Sequence, residues 1–200
     1  SNPVPHPLNC RPVVPAGTQP PYAEDEVQIY PYPLVPGNPT QLSVRASQIQ
    51  LGYPLEHWSV ADQSVSGFRL QRGEAGARIA HAQLFCLRPP DGEQFLLAQV
   101  SWLMMLKDDL LIGIHVLPGV PQGIAVRPTG ANVSHSERYV RAFLLPAVPA
   151  LKEAASLVLP RGWYQPERVV EVFTDRQARL RLGELLGQGP DFDRATYTRL

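Results

Sequence analysis

Proline sets the first limit on this chain. Of its 22 prolines, eleven fall within residues 1–40, in runs such as NPVPHP, QPPY and YPYPLVPGNP. Each proline removes a backbone donor and fixes φ, so a segment this dense in them resists helix and central-strand pairing. Residues 1–40 are therefore expected to be an extended arm or linker, laid on a domain by Tyr and Val side chains or read by a Pro-recognising partner. The other prolines and the 15 glycines punctuate the rest of the chain at short intervals. That leaves little room for long helices and points to a mostly all-β fold.

The runs between these breaks have strand periodicity. QLSVRASQI alternates weakly, LEHWSVAD leads into a turn, and GFRLQR leaves it. ARIAHAQLFCL alternates over residues 77–87, RPPDGE is a strong turn, and QFLLAQVSWL returns, which is a hairpin pattern. LKDD turns again, LLIGIHVL is a strand, PGVPQ a turn, and GIAVRP reads as a last strand. Strands at this spacing predict a small antiparallel barrel over residues 41–128. TGANVSHSE, residues 129–137, is polar and reads as a linker. A second β-rich block is expected over 138–200, from RYVRAFLLP, ASLVLP, RVVEVF, QARLRLGELL and DFDRATYTRL. ALKEAA has room for a turn or two of helix, and Gly183 predicts that QARLRL ends in a turn. The two blocks show no residue-by-residue repeat, so a duplicated barrel stays open.

Composition narrows the function classes. Eighteen Lys and Arg balance eighteen Asp and Glu, so no overall field draws the chain to a nucleic acid polymer or an anionic membrane. No apolar run is long enough to span a bilayer as a helix, and no signal peptide is visible. A cytoplasmic location is expected. The opening Ser1-Asn2 has the look of a cleavage scar or an excised fragment, so the natural start is expected elsewhere. Two cysteines, Cys10 and Cys86, make no disulfide framework, and Cys86 is expected to pack as a small hydrophobe.

ADQSVSGFRL, residues 61–70, holds Asp62, Ser64 and Gly67 at the spacing D-x-S-x-x-G. Two readings fit. Asp and Ser side chains bond local backbone in turns, with Gly taking a conformation other residues avoid. Alternatively, the carboxylate and hydroxyl face the edge of a guanine base, whose two N–H donors suit a carboxylate. Farther on, AQVSWL, KDD and IGIHV supply an apolar strand with a Trp, a turn, and a G-hydrophobic-x-hydrophobic strand. This order and spacing resemble the PilZ domain family over residues 41–128. The resemblance implies a six-stranded barrel and a role in bacterial cyclic di-GMP signalling, with Asp62 and Ser64 on guanine and Gly67 allowing close backbone approach.

One family feature is missing. Members that bind the dinucleotide carry R-x-x-x-R upstream, and no such pair precedes Asp62: Arg45 is followed four residues on by Ile49, and Arg11 by Pro15. Arg45 is the best remaining phosphate contact, with Arg69 and Arg127 as further candidates. Losing two charge-assisted contacts, at about 1.5–3 kcal/mol each, weakens binding roughly 10²- to 10⁴-fold.

No other constellation carries chemistry. The histidines at 6, 57, 81, 115 and 135 show no metal-ligand spacing, and no metal or cofactor is expected. Ser64, His57 and Asp62 lack the strand-elbow-helix setting of a hydrolase, and no phosphate-binding glycine loop appears. Trp102, Met104 and Met105 either face a partner or, as expected here, fill the core of a small barrel. Trp163, between Arg161 and Arg168, has the same choice between a protein contact and the edge of its own domain. The chain is expected to be a non-catalytic bacterial signalling module, PilZ-like, that binds cyclic di-GMP or derives from such a receptor. The alternative is an adaptor of the same fold without nucleotide binding, working through a protein partner.

Overall fold

The computed structural model describes residues 26–31, as a strand path, and residues 56–73, 75–89, 92–129 and 138–200. The expected strand at 41–49, most of the 129–137 linker, Cys10 and Arg45 lie outside these residues. Within them the chain is β throughout, with no α-helix, and it divides into two compact units between Leu117 and Pro118.

The first unit is a closed six-stranded barrel. Its strands are β1 (Glu26–Pro31), β2 (Glu56–Ser64), β3 (Gly67–Arg72), β4 (Leu84–Arg88), β5 (Leu96–Leu106) and β6 (Asp109–Val116). Around the barrel they run β1-β2-β3-β6-β5-β4, every neighbour antiparallel. Alternation places Trp58, Leu70, Phe85, Val100, Ile112 and Ile114 inside. Near one end of the barrel Arg72 pairs with Glu56 at 2.6 Å, and its guanidinium lies 4.7 Å from the Trp58 ring centre.

The second unit is also a closed barrel of six: β7 (Gln122–Pro128), β8 (Val140–Leu145), β9 (Ser156–Pro160), β10 (Val169–Phe173), β11 (Gln177–Gln188) and β12 (Phe192–Arg199). Its circuit is β7-β8-β9-β12-β11-β10. Strand for strand, this is the circuit of the first barrel, so the chain repeats one topology twice. Ile124, Val126, Leu157, Leu159, Val170 and Leu182 lie in its core.

Several expectations shift. The domain boundary expected at 128 falls at Leu117/Pro118, because GIAVRP pairs with β8 and β10 and closes the second barrel. The arm expected over 1–40 contains β1, where EVQIYP offers six residues with only a terminal proline, which an edge of pairing tolerates. Of 77–87 only the last four residues join a strand, since Ala82 takes φ 61° in a turn before β4. The helix considered at ALKEAA is a single 3-10 turn, Pro149–Leu151. Gly183 does not end its strand; β11 runs through it, and bulges between Leu182 and Gly187 absorb the irregularity.

Two further expectations are also decided. Trp163 packs against the second core. Met104 and Met105 do not fill a core: they are 47% and 62% exposed. The described pairing of β4 with β5 ends at Gln99, so residues 101–106 run on past the buried part of the barrel. Cys86 is buried, as expected.

Candidate functional site

The D-x-S-x-x-G stretch forms the β2–β3 hairpin, with Val65 and Ser66 as its turn and Ser64 opposite Gly67. Gly67 is fixed by packing. It faces His115 of β6, and a Cβ there would overlap the carbonyl oxygen of Ile114. The Ser66 carbonyl accepts from the Val116 amide at 2.8 Å, which ties the turn to β6. Gly67 thus holds the hairpin close to its neighbour and touches nothing outside.

Asp62 and Ser64 project outward. The Gln63 amide donates to Asp62 Oδ1 at 2.9 Å, and the Ser64 hydroxyl donates to the Gly67 carbonyl at 3.2 Å. Each side chain therefore makes a local turn bond and keeps acceptor lone pairs for something else. The local bonds of the turn reading leave acceptors for the guanine reading, but Gly67 does not take the positive φ that the turn reading expected. Asp62 is 65% exposed, and its second oxygen lies 3.6 Å from Arg69 Nη2, itself 48% exposed. A surface pair of this kind is worth about 0–1 kcal/mol, so neither partner is committed to the other.

Of the sequence candidates, Asp62, Ser64 and Gly67 come together on one hairpin. Arg69 joins them, directly opposite Asp62 across the β2–β3 ladder. Arg127 does not. It lies on β7 of the second barrel, with Nε 2.5 Å from Glu171, where Tyr139 also donates to Glu171 at 2.6 Å. Burial alone would raise the Glu171 carboxyl, but hydrogen bonds from Tyr139, Arg127 and Gln177 outweigh it and hold the pKa below the usual range. Burial and the bond to Glu171 push Tyr139 up to about 12. Arg127 is thus spent on a structural cluster.

Two residues that the sequence did not place in the site belong to the same face. Arg69 is also paired with Gly113 of β6, and Gly113 with Trp102 of β5. Directly opposed residues share a face, so Asp62, Arg69, Gly113 and Trp102 form one outer row across four strands. Trp102 is 40% exposed, and its indole fills the space above Gly113 where a Cβ would stand. No group of three or more metal-ligating side chains occurs among the described residues, and none of their helices is long and apolar enough to cross a membrane.

Comparison with known proteins adds a family and a relative. The family described as the FimW C-terminal beta-barrel domain matches residues 124–200, essentially the second barrel. The chain is also similar to the cyclic-di-GMP receptor FimW of Pseudomonas aeruginosa, 26% identical over 148 residues, which is 71% of this chain and 23% of that protein. That share exceeds what Pro118–Leu200 holds, so the likeness reaches into the residues before Pro118. The chain spans less than a quarter of the relative's length. No solved structure matches.

Proposed function

We propose that this chain is a non-catalytic bacterial signalling module whose first barrel, PilZ-like, binds cyclic di-GMP on its outer face. The observation that carries this reading is the presentation of Asp62 and Ser64. Both stand on the exposed end of β2, each with acceptor capacity beyond its local bond, beside the cationic Arg69. The likeness to a cyclic-di-GMP receptor supports the same ligand. The Asp62 carboxylate accepts from guanine N1–H and N2–H, and Ser64 adds a further contact. Arg45 remains a proposed phosphate contact, from a segment outside the described residues. No further cofactor is proposed. The ligand is an intracellular messenger, so a cytoplasmic location goes with this reading.

Isothermal titration of cyclic di-GMP into the chain tests it, with Asp62→Ala as control and Arg45→Ala next. Saturable binding lost in Asp62→Ala supports the receptor reading. No heat from a folded protein at high ligand concentration overturns it. One observation favours the adaptor alternative: Trp102 to Leu106 of β5 expose five consecutive large apolar side chains. A run of this kind suits a protein partner, and a module that binds no nucleotide would leave this surface as its working part.

A further inference from the structure

The outer row of the first barrel is built by two irregularities. On β2, Val60 faces Leu70, but the next residue in register is Asp62, which faces Arg69. On β5, Val100 faces Ile114, but the next in register is Trp102, which faces Gly113. Each strand thus contains a bulge, at Ala61 and Ser101. Alternation makes the consequence specific. Without the first bulge Asp62 would stand opposite Phe68, which packs on the core; without the second, Trp102 would stand opposite the buried Ile112. Both residues would then point inward. The two bulges turn a carboxylate and an indole out of the barrel and set them in the same row. Bulges re-aim side chains in this way beside binding sites.

The middle of the row is low. Gly113 has no side chain, so the Trp102 indole lies flat over it, beside Arg69. Two strand spacings, about 10 Å along the row, separate Asp62 from the Gly113 position that the indole covers. One purine does not span that length. A ligand with two purines on opposite sides of a sugar-phosphate ring has a base for each end and phosphates between them.

We propose that Trp102 and Arg69 form the second half of the binding face, so that a cyclic dinucleotide lies across strands β2, β3, β6 and β5. This rests on the receptor reading above. One guanine edge meets Asp62 and Ser64. Arg69 leaves its weak pair with Asp62 and turns its guanidinium to a phosphate, a match of fork and oxyanion that lysine does not reproduce. The second base stacks on the exposed part of the Trp102 indole. Arg69 thereby takes on part of the work that an upstream arginine pair does elsewhere in the resembling family.

Titrating cyclic di-GMP into the intact chain, followed by calorimetry and tryptophan fluorescence, tests the placement. Trp58 is buried in the first core and Trp163 lies in the second barrel, so a ligand-induced quench reports on Trp102. The expected result is a saturable quench that disappears in Trp102→Phe while the calorimetric affinity falls only a few-fold. Trp102→Ala is expected to weaken binding roughly 5- to 100-fold. Arg69→Ala is expected to weaken it about 10- to 100-fold, with Arg69→Lys recovering only part of the loss. If wild type binds and Asp62→Ala does not, yet Trp102→Ala binds as wild type without a quench in the parent, the across-strand placement is overturned and the receptor reading stands. If folded wild type does not bind at all, both fall.

Discussion

The two barrels share one strand circuit, and the same face of each has opposite character. In the first barrel the second, third, sixth and fifth strands carry Asp62, Arg69, Gly113 and Trp102 in one outer row, with both charged residues exposed. In the second barrel the corresponding strands carry Phe143, Val158, Arg194 and Gly187 in one row. There Phe143 and Val158 are fully buried and Arg194 is 8% exposed, its Nε donating to Ser156 Oγ at 2.9 Å. One topology thus supports an exposed row in one copy and a largely buried one in the other. Polar groups follow the same division. The Asp62–Arg69 pair is loose and wet, whereas the buried Glu171 is held by both Arg127 and Tyr139. A pair that stabilises little is available to a ligand; a cluster that is satisfied and buried is not.

This contrast can be broken experimentally. The largest effect is expected from Phe143→Ala, which empties a buried aromatic site on the second barrel's face and should cost about 3–5 kcal/mol in chemical denaturation. Little or no loss of stability would mean that the buried row contributes nothing. Gly67→Ala comes next, because its Cβ has to push the β3 hairpin away from the Ile114 carbonyl. A loss of about 1–3 kcal/mol is expected by thermal melting.

Glu171→Gln should cost about 2 kcal/mol at neutral pH through its bond to Arg127. It also has a pH signature. The folded carboxyl titrates below its ordinary value. Its stabilisation is therefore present above the unfolded pKa, about 4.3, and is lost as pH falls from there through the folded value. Acid denaturation curves should show a shallower limb in Glu171→Gln. Tyr139 runs the other way: its contribution is present below 10.0 and is lost as pH rises toward about 12. An alkaline limb that shrinks in Tyr139→Phe checks this. The smallest stability change is expected from Asp62→Ala, within about 0.5 kcal/mol, although it removes the proposed guanine contact. A large destabilisation there would turn Asp62 into a folding residue and dissolve the contrast.

The layout of the candidate site was partly legible because its signal is local. The D-x-S-x-x-G spacing marked Asp62, Ser64 and Gly67, and the structure sets them on one hairpin in which Gly67 is needed for close strand approach. Trp102 was visible as a residue but was assigned to a core. A period of two places every second residue of β5 on the same face, and one extra residue at Ser101 inverts that parity without any mark in the pattern. Arg69 and Arg127 were equal candidates for a related reason: a strand pattern shows which face a residue takes on its own strand, not which residue stands across from it. The boundary at residue 128 failed because GIAVRP has the same alternation in either barrel, and only its pairing with β8 and β10 assigns it.

The sequence by itself determined that the chain is β, that prolines and glycines cut it into short antiparallel strands, and that one turn presents a carboxylate and a hydroxyl. Those properties depend on backbone donors, φ restriction and alternation, which act within a few residues. Only the tertiary structure decided that the strands close twice on the same circuit, and that two bulges bring Asp62 and Trp102 into one row. Only it showed that Arg69 is open to solvent while Arg127 is locked to Glu171. Each of these depends on register and closure between strands distant in sequence, where one residue of slip changes every partner.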